Sequence, residues 1–120
     1  LSYTQYKYSS PVTDKTEYRK GDSVTVRIKI KNTGSVAGRE IVQLYIRDEV
    51  ATVIPREKEL KRFVSIHLQP GEEKEIRFTI PSADFSIYNN KMEKVLESGS
   101  FTIGIGPNSS ELNQTKVYFL

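Results

Sequence analysis

Cysteine is absent from this 120-residue sequence, and histidine and methionine occur once each. Without cysteine, the chain can form neither a disulfide framework nor a zinc site with thiolate ligands. The single histidine, His67, has no second histidine for a typical zinc site and no plausible serine or cysteine partner for a catalytic triad. We therefore interpret His67 as a surface residue of a strand, and we expect no metal and no cofactor to be bound.

Long apolar runs and blocks of like charge are missing as well. No stretch approaches the ~20 apolar residues that a membrane-spanning helix requires. The 18 basic and 15 acidic residues are interleaved, and they leave a formal net charge of +3. A nucleic-acid-binding domain concentrates its basic residues on one face or along one helix, and no such block occurs here. Neither a membrane nor a nucleic acid is an expected partner, and the isolated domain is expected to be monomeric.

The sequence contains instead a series of alternating strands. Its length suits a single domain, 1–120, and an apolar content of 37% is enough for a thin core. From Ser23 to Lys31 apolar and polar residues alternate strictly: one face consists of Val24, Val26, Ile28 and Ile30, and the other of Thr25, Arg27, Lys29 and Lys31. This period of two is typical of a strand buried on one face. From Arg39 to Asp48 the same alternation predicts a second strand whose core face is wholly aliphatic.

Glycine, proline and asparagine mark the turns between the predicted strands. Gly21 and the pair Pro70-Gly71 supply the backbone angles that tight turns require. We expect Asn32 and Gly34 to end the preceding strand by adopting positive φ angles. Further strands are predicted at 3–8, 63–68, 73–80, 94–97, 101–105 and 115–119. Seven or eight strands, with turns roughly every ten residues and no clear helix, predict an all-β fold, an antiparallel β-sandwich of immunoglobulin or fibronectin type III style.

The segment 49–61 interrupts this pattern. It is charged, contains Pro55 and lacks alternation, so we predict a long loop with one helical turn near 56–60. Loops of this length are uncommon unless they have a function. The segment is therefore either part of an interface or a surface loop that folds over the end of its own sheet.

Two groups of glutamates could supply the pair of carboxylates that glycoside hydrolysis needs. They are Glu57 with Glu59, and Glu72 with Glu73 and Glu75. Both groups lie in charged stretches beside lysine and arginine, where exposed glutamates keep ordinary pKa values and are poor acids near neutral pH. We therefore predict no catalytic residue in this chain.

The run Gly104-Ile105-Gly106 lacks the third glycine and the following helix of a nucleotide-binding loop. Inside a strand, two such glycines predict close packing or a bulge.

Several tyrosines raise the alternative of sugar binding. Tyr3, Tyr6, Tyr8 and Tyr18 could stack on sugar rings if they are exposed, as in carbohydrate-binding modules. Tyrosine is equally suited to the boundary between core and water in a small sandwich. An exposed, coplanar aromatic platform would favour a carbohydrate-binding or adhesion module, whereas rings inside the sheets would favour a structural domain.

Short motifs along essentially the whole chain are similar to those of one family. They are Leu1–Thr4, Asn32–Asp48, Lys58–Phe63, Leu68–Glu72, Asp84–Asn89, Val95–Phe101 and Gly106–Leu112. With them, the sequence resembles the fibronectin type III-like domain at the C-terminal end of family 3 glycoside hydrolases, the β-glucosidases and β-xylosidases. It departs from the family at Arg62, where the family has glycine, and at Pro55-Arg56, where the order of the two residues is reversed.

The resemblance implies a noncatalytic role, because the nucleophilic aspartate and the acid/base glutamate of this family belong to the preceding domains. The domain is expected to pack against the catalytic domains of the same parent chain, a retaining β-glucosidase or β-xylosidase, and to stabilise them. The parent is expected to be periplasmic or secreted. On physical grounds, because apolar residues among charges need cover, the expected interdomain interface consists of Val53, Ile54, Pro55, Arg56, Leu60, Lys61 and Arg62.

Overall fold

The computed structural model describes residues 5–49, 58–88 and 91–120. Within these ranges the chain forms eleven strands and one 3₁₀ helix, Ser82–Phe85. The six long strands are β4 (Ser23–Asn32), β5 (Gly38–Asp48), β6 (Glu59–Leu68), β7 (Glu73–Pro81), β10 (Gly99–Asn108) and β11 (Glu111–Phe119). The five short strands are β1 (Tyr6–Tyr8), β2 (Val12–Thr13), β3 (Glu17–Tyr18), β8 (Ile87–Tyr88) and β9 (Lys94–Val95).

The strands form two main sheets. In the first, β4 pairs with β7 on one side and with β1 and β2 along its other edge. The second has the order β3-β11-β10-β5-β6, and β8 and β9 form a separate pair. The predicted all-β sandwich is confirmed. In the described part of the chain, no helix has the length and apolar character needed to cross a membrane.

The core lies between the two sheets and follows the alternation of the sequence. The inward residues of β4 are Val24, Val26, Ile28 and Ile30, and each is at most 1% exposed. The aliphatic residues of β5 are buried in the same way, and β10 and β11 of the same sheet contribute further buried residues to the core. Both predicted core faces are therefore confirmed. Alternation predicts them well because burying apolar surface on one face is the main force that fixes strand register.

Aromatic rings close one end of the core. Phe85, at the end of the 3₁₀ helix, packs edge-to-face against Phe101 with ring centroids 5.2 Å apart. Phe119 lies 4.9 Å from Phe85, and Tyr18 lies 5.7 Å from Phe119. Rings in such tilted and T-shaped arrangements stabilise a core beyond the area they bury. Phe85, which is 2% exposed, therefore fills one end of the core.

The first described segment joins both sheets. β1 and β2 pair with β4, and the buried Pro11 between them interrupts the ladder because proline has no N–H to donate. β3 then lies in the other sheet, where it pairs in parallel with β11. The sequence does not predict β2 or β3, because a pairing of two residues leaves no alternation to read.

The glycines behave as predicted at two turns and differently at a third. Gly21 and Gly71 have φ angles of +96° and +79°, as their turns require. The expectation of positive φ at Asn32 and Gly34 is wrong, since neither is among the described residues with positive φ.

A buried side chain holds the turn after β4 instead. Asn32 ends β4 and is fully buried. Its amide nitrogen donates to the carbonyls of Val36 at 3.0 Å and Leu68 at 3.1 Å, and its oxygen accepts from the N–H of Gly34 at 2.9 Å. One side chain thereby ties the end of β4 to the start of β5 and to the end of β6.

The charged segment between β5 and β6 is shorter than predicted. β6 begins at Glu59 rather than at Phe63, so the prediction of a loop through Lys61 is wrong for its last three residues. Leu60 likewise lies in a strand and not in a helical turn. The predicted loop residues 50–57 lie outside the described residues.

A β-bulge explains why alternation did not reveal the start of β6. Leu44 pairs with Arg62, but the next residue, Tyr45, pairs with Leu60, so Lys61 is an extra residue on β6. A bulge of this kind turns the side chains before it to the opposite face from the one that a regular strand would give.

β10 and β11 approach each other closely at two glycines. A Cβ on Gly106 would lie 1.8 Å from the backbone oxygen of Glu111, and one on Gly104 would lie 2.9 Å from Cδ1 of Leu112. The ladder between the two strands also shifts register between Ile105 and Asn108. The predicted close packing with a bulge is confirmed.

Candidate functional site

The described residues considered for catalysis lie at the surface, and Glu72 is the one among them that is partly buried. His67 is exposed on β6, as predicted, and its backbone carbonyl accepts a hydrogen bond from Lys74 Nζ at 3.0 Å. Glu59, Glu73 and Glu75 are exposed, and Glu57 lies outside the described residues. In residues 5–49, 58–88 and 91–120, no group of three or more His, Cys, Asp or Glu side chains could hold a metal ion.

Tyr18 is not available to stack on a sugar. It is 1% exposed, and its hydroxyl donates to Asp14 Oδ1 at 2.6 Å. Burial, with this hydrogen bond to a carboxylate, raises the pKa of Tyr18 to about 12. The suggestion that Tyr18 stacks on sugar is wrong, and Tyr3, the first of the four tyrosines, lies outside the described residues.

Tyr6 and Tyr8 line a cleft between the sheets with a volume of about 660 Å³. The Tyr8 hydroxyl donates to Glu40 Oε2 at 3.0 Å. The Tyr6 hydroxyl is buried and has no hydrogen-bond partner among the described residues. Burial, followed by the nearby charge of Glu111, raises the pKa of Glu40 above its ordinary value of 4.5. Ile105, Pro107 and Leu112 supply the apolar part of the lining.

The two tyrosine rings do not form an exposed platform. Both are half-buried and pack against the hydrophobic core from the edge strand β1. The Tyr8 hydroxyl is turned toward Glu40, and the Tyr6 hydroxyl is buried. Because a sugar-binding module would need an exposed, coplanar aromatic platform, this arrangement favours a structural domain over a sugar-binding one.

Three of the residues predicted for an interdomain interface are described, and the bulge gives each a different environment. Leu60 is 48% exposed. Lys61 pairs with Glu59 at 3.0 Å. Arg62 forms an ion pair with Asp84 and also donates to the carbonyl of Lys61. The other four predicted residues, Val53, Ile54, Pro55 and Arg56, lie outside the described residues.

The sequence prediction missed an apolar surface on the outer face of the five-stranded sheet. Phe63 is 70% exposed and Ile41 is 51% exposed. Leu60 pairs with Tyr45, and Phe63 pairs with Gln43, so these side chains lie on the same outer face as Ile41. We call Ile41, Tyr45, Leu60 and Phe63 the Phe63 face. The alternation of residues 39–48 indicates its β5 half, whereas the bulge hides its β6 half.

These features define a class of protein. Two antiparallel sheets packed around one core, with a first segment that contributes to both, form a sandwich of the immunoglobulin and fibronectin type III class. The family model described as a fibronectin type III-like domain matches residues 40–109.

Comparisons with known proteins give the family more closely. The chain is 43% identical over 115 residues to a putative beta-xylosidase of Formosa agariphila, covering 96% of this chain and 15% of that protein. It is 42% identical over 113 residues to thermostable beta-glucosidase B of Acetivibrio thermocellus, covering 93% of this chain and 15% of that protein. The solved structure of a β-glucosidase from Erythrobacter marinus superposes with a TM-score of 0.92 at 32% identity, covering 100% of this chain and 16% of that one.

The chain belongs to the fibronectin type III-like domains of family 3 glycoside hydrolases. It spans about 15% of the length of the curated relatives that it matches. It therefore corresponds to a small part of these larger chains.

Proposed function

We propose that this domain packs on the catalytic domains of a retaining β-glucosidase or β-xylosidase and stabilises them. The observation that supports this most directly is the coverage: almost the whole chain matches a small part of proteins named beta-xylosidase and beta-glucosidase. Exposed apolar residues on the described surface support it further, since such residues tend to mark interaction sites.

The proposed interface includes the segment around the β6 bulge. Leu60, Lys61 and Arg62 form its described part, and Val53, Ile54, Pro55 and Arg56 are proposed to extend it. Packing this segment on a neighbouring domain would cover Leu60, which its own domain leaves half exposed. The ion pair between Arg62 and Asp84 would hold the bulge in place beneath it.

Deleting this domain from the parent enzyme tests the proposal. We expect the midpoint of thermal unfolding of the remaining chain to fall by about 5 °C or more, because a covered apolar surface becomes exposed. Activity per folded molecule on aryl β-glucosides and β-xylosides should change little. Calorimetry and active-site titration would measure the two effects, and adding the domain back in trans is the control. An unchanged midpoint would contradict the proposal.

The cleft lined by Tyr6 and Tyr8 supports a second candidate, a carbohydrate-binding or adhesion module. Its volume lies in the range of small-ligand sites, roughly 300–1,000 Å³, and it combines aromatic and carboxylate groups as sugar sites do.

Calorimetry of the 120-residue chain with soluble glucans, xylans and short oligosaccharides tests this second candidate. With a structural domain we expect no binding at millimolar sugar. Binding that is lost in Tyr8→Ala but kept in Tyr118→Ala, an exposed tyrosine elsewhere on the sandwich, would instead establish sugar recognition in the cleft.

A further inference from the structure

We infer that the Phe63 face is the surface that docks on the rest of the parent chain, and that its partner there is an apolar patch with an acidic rim. This inference rests on the proposed function and specifies where the contact lies. It moves the centre of the interface from the segment around the β6 bulge to the outer face of the five-stranded sheet.

The apolar side chains of the Phe63 face are exposed to solvent. Phe63, Ile41 and Leu60 are 70%, 51% and 48% exposed, and all three lie within strands rather than in turns. A sandwich that faces water on its outer side places polar residues there. Three large apolar residues on two neighbouring strands therefore form a patch of the kind that marks an interaction site.

The bulge at Lys61 places Leu60 on the same face of the sheet as Phe63. Leu60 and Phe63 are three residues apart, so in a regular strand they would point to opposite faces. With Lys61 as an extra residue, Leu60 lies opposite Tyr45 and Phe63 lies opposite Gln43, both on the outer face. Bulges are used to redirect side chains beside functional sites, and this one adds Leu60 to the patch.

The patch continues toward the centre of the sheet, where β10 contributes a glycine beside Tyr45. Tyr45 pairs with Gly104 of β10, which has no side chain, and Leu112 packs over that glycine. The Tyr45 hydroxyl donates to Gln43 on its own strand, so its polar atom is already satisfied. An apolar partner could therefore cover this area without leaving that group unpaired.

The charges around the patch indicate the chemistry of the partner. Arg39 and Arg47 lie on β5 at either end of the row that contains Ile41 and Tyr45, and both are exposed. Lys116 lies on the same outer face, because it pairs with Thr102, which in turn pairs with Arg47. None of the three forms an ion pair within the described residues. The Glu49 carboxylate accepts a hydrogen bond from Thr102, which lies between Arg47 and Lys116, and it offsets part of the positive charge at that end. An acidic rim on the partner would complement the charge that remains.

The same charges favour the parent chain over a second copy of this domain. In a two-fold dimer the patch would meet itself, and the basic rim of one copy would face the basic rim of the other. The parent chain offers a different surface, and this domain spans only 15% of the relatives' length, so most of such a chain lies outside it.

Substitutions in the full parent enzyme test the inference. Phe63→Glu and Ile41→Glu should each speed the release of the domain by limited proteolysis about tenfold or more, because a charge is placed in the contact. Val12→Glu is the matched control, since Val12 is 50% exposed on the other sheet, and it should change the rate less than about twofold. In the isolated 120-residue chain, none of the three should alter cooperative unfolding.

Each other outcome has a distinct meaning. If the wild-type enzyme already releases the domain as fast as the variants, the proposed packing itself fails. If the wild-type domain is protected and Phe63→Glu behaves as Val12→Glu does, packing stands and the assigned surface is wrong. If the isolated chain sediments as a dimer and Phe63→Glu makes it a monomer, the face serves self-association and the inference is overturned.

Discussion

Single buried polar side chains determine how the ends of this sandwich are held. Asn32 joins three segments through three hydrogen bonds, and Tyr18 and Asp14 form a similar small network near the aromatic end. The Asp14 carboxylate also accepts from the N–H of Thr25. Although burial opposes ionisation, hydrogen bonds from Tyr18 and Thr25 lower the pKa of Asp14.

Replacing Asn32 with alanine should destabilise the fold by about 2–4 kcal/mol, because the buried carbonyl of Leu68 and the partly buried bonds to Gly34 and Val36 would lose their partner. The free energy of unfolding from urea titration measures this. Gln114→Ala, at an exposed position, should stay within about 0.5 kcal/mol of wild type. A loss at Asn32 no larger than at Gln114 would show that the amide bonds are not needed.

Glu40 makes the stability of the domain depend on pH. Burial and the charge of Glu111 raise its pKa in the folded state above 4.5. The folded state then binds the proton more tightly than the unfolded state. The stability linked to Glu40 is therefore fully present below the unfolded pKa and is lost as pH rises through the folded one.

Glu40→Gln removes this ionisation while keeping an acceptor for the Tyr8 hydroxyl. We expect the variant to match wild type near pH ~4 and to become the more stable of the two as pH approaches ~7. Unfolding curves across this range would show it, with the exposed Glu73→Gln as the control. A variant that is less stable than wild type at neutral pH would contradict the assignment.

At the scale of the elements, ladder irregularities give the strands their particular shapes. The β6 bulge redirects Leu60, and the shift between Ile105 and Asn108 brings β11 against Gly106. Both depend on which residues oppose each other across two strands.

Gly106→Ala should destabilise the domain by about 3 kcal/mol or more, because the new methyl group would meet the backbone oxygen of Glu111. Gly104→Ala is the matched comparison. Its new methyl group would meet only the Leu112 side chain, which can move, so its cost should be smaller. Urea titration of both variants orders the two costs, and equal stability of Gly106→Ala and wild type would refute the close approach.

At the scale of the whole molecule, alternation was sufficient to predict the sandwich and its core. Each inward apolar residue of β4 and β5 could be assigned from the period of two alone, because side chains of a strand point alternately to its two faces. The bulge at Lys61 could not be predicted, because it is a mismatch in the pairing register of β5 and β6 that the sequence of neither strand shows by itself. Tyr18 was misjudged for a related reason: tyrosine is suited to both core and surface, and only the contact with Phe119 decides.

The parallel pairing of β3 with β11 also has a mechanical consequence. Its ladder is continued by hydrogen bonds from Tyr118 N–H to the Thr16 carbonyl and from Leu120 N–H to the Tyr18 carbonyl. A force along the strand axis that pulls β3 and β11 in opposite directions loads these bonds in shear, so they must break together rather than one after another. The sandwich should therefore bear tension along this direction better than a hairpin opened from its end.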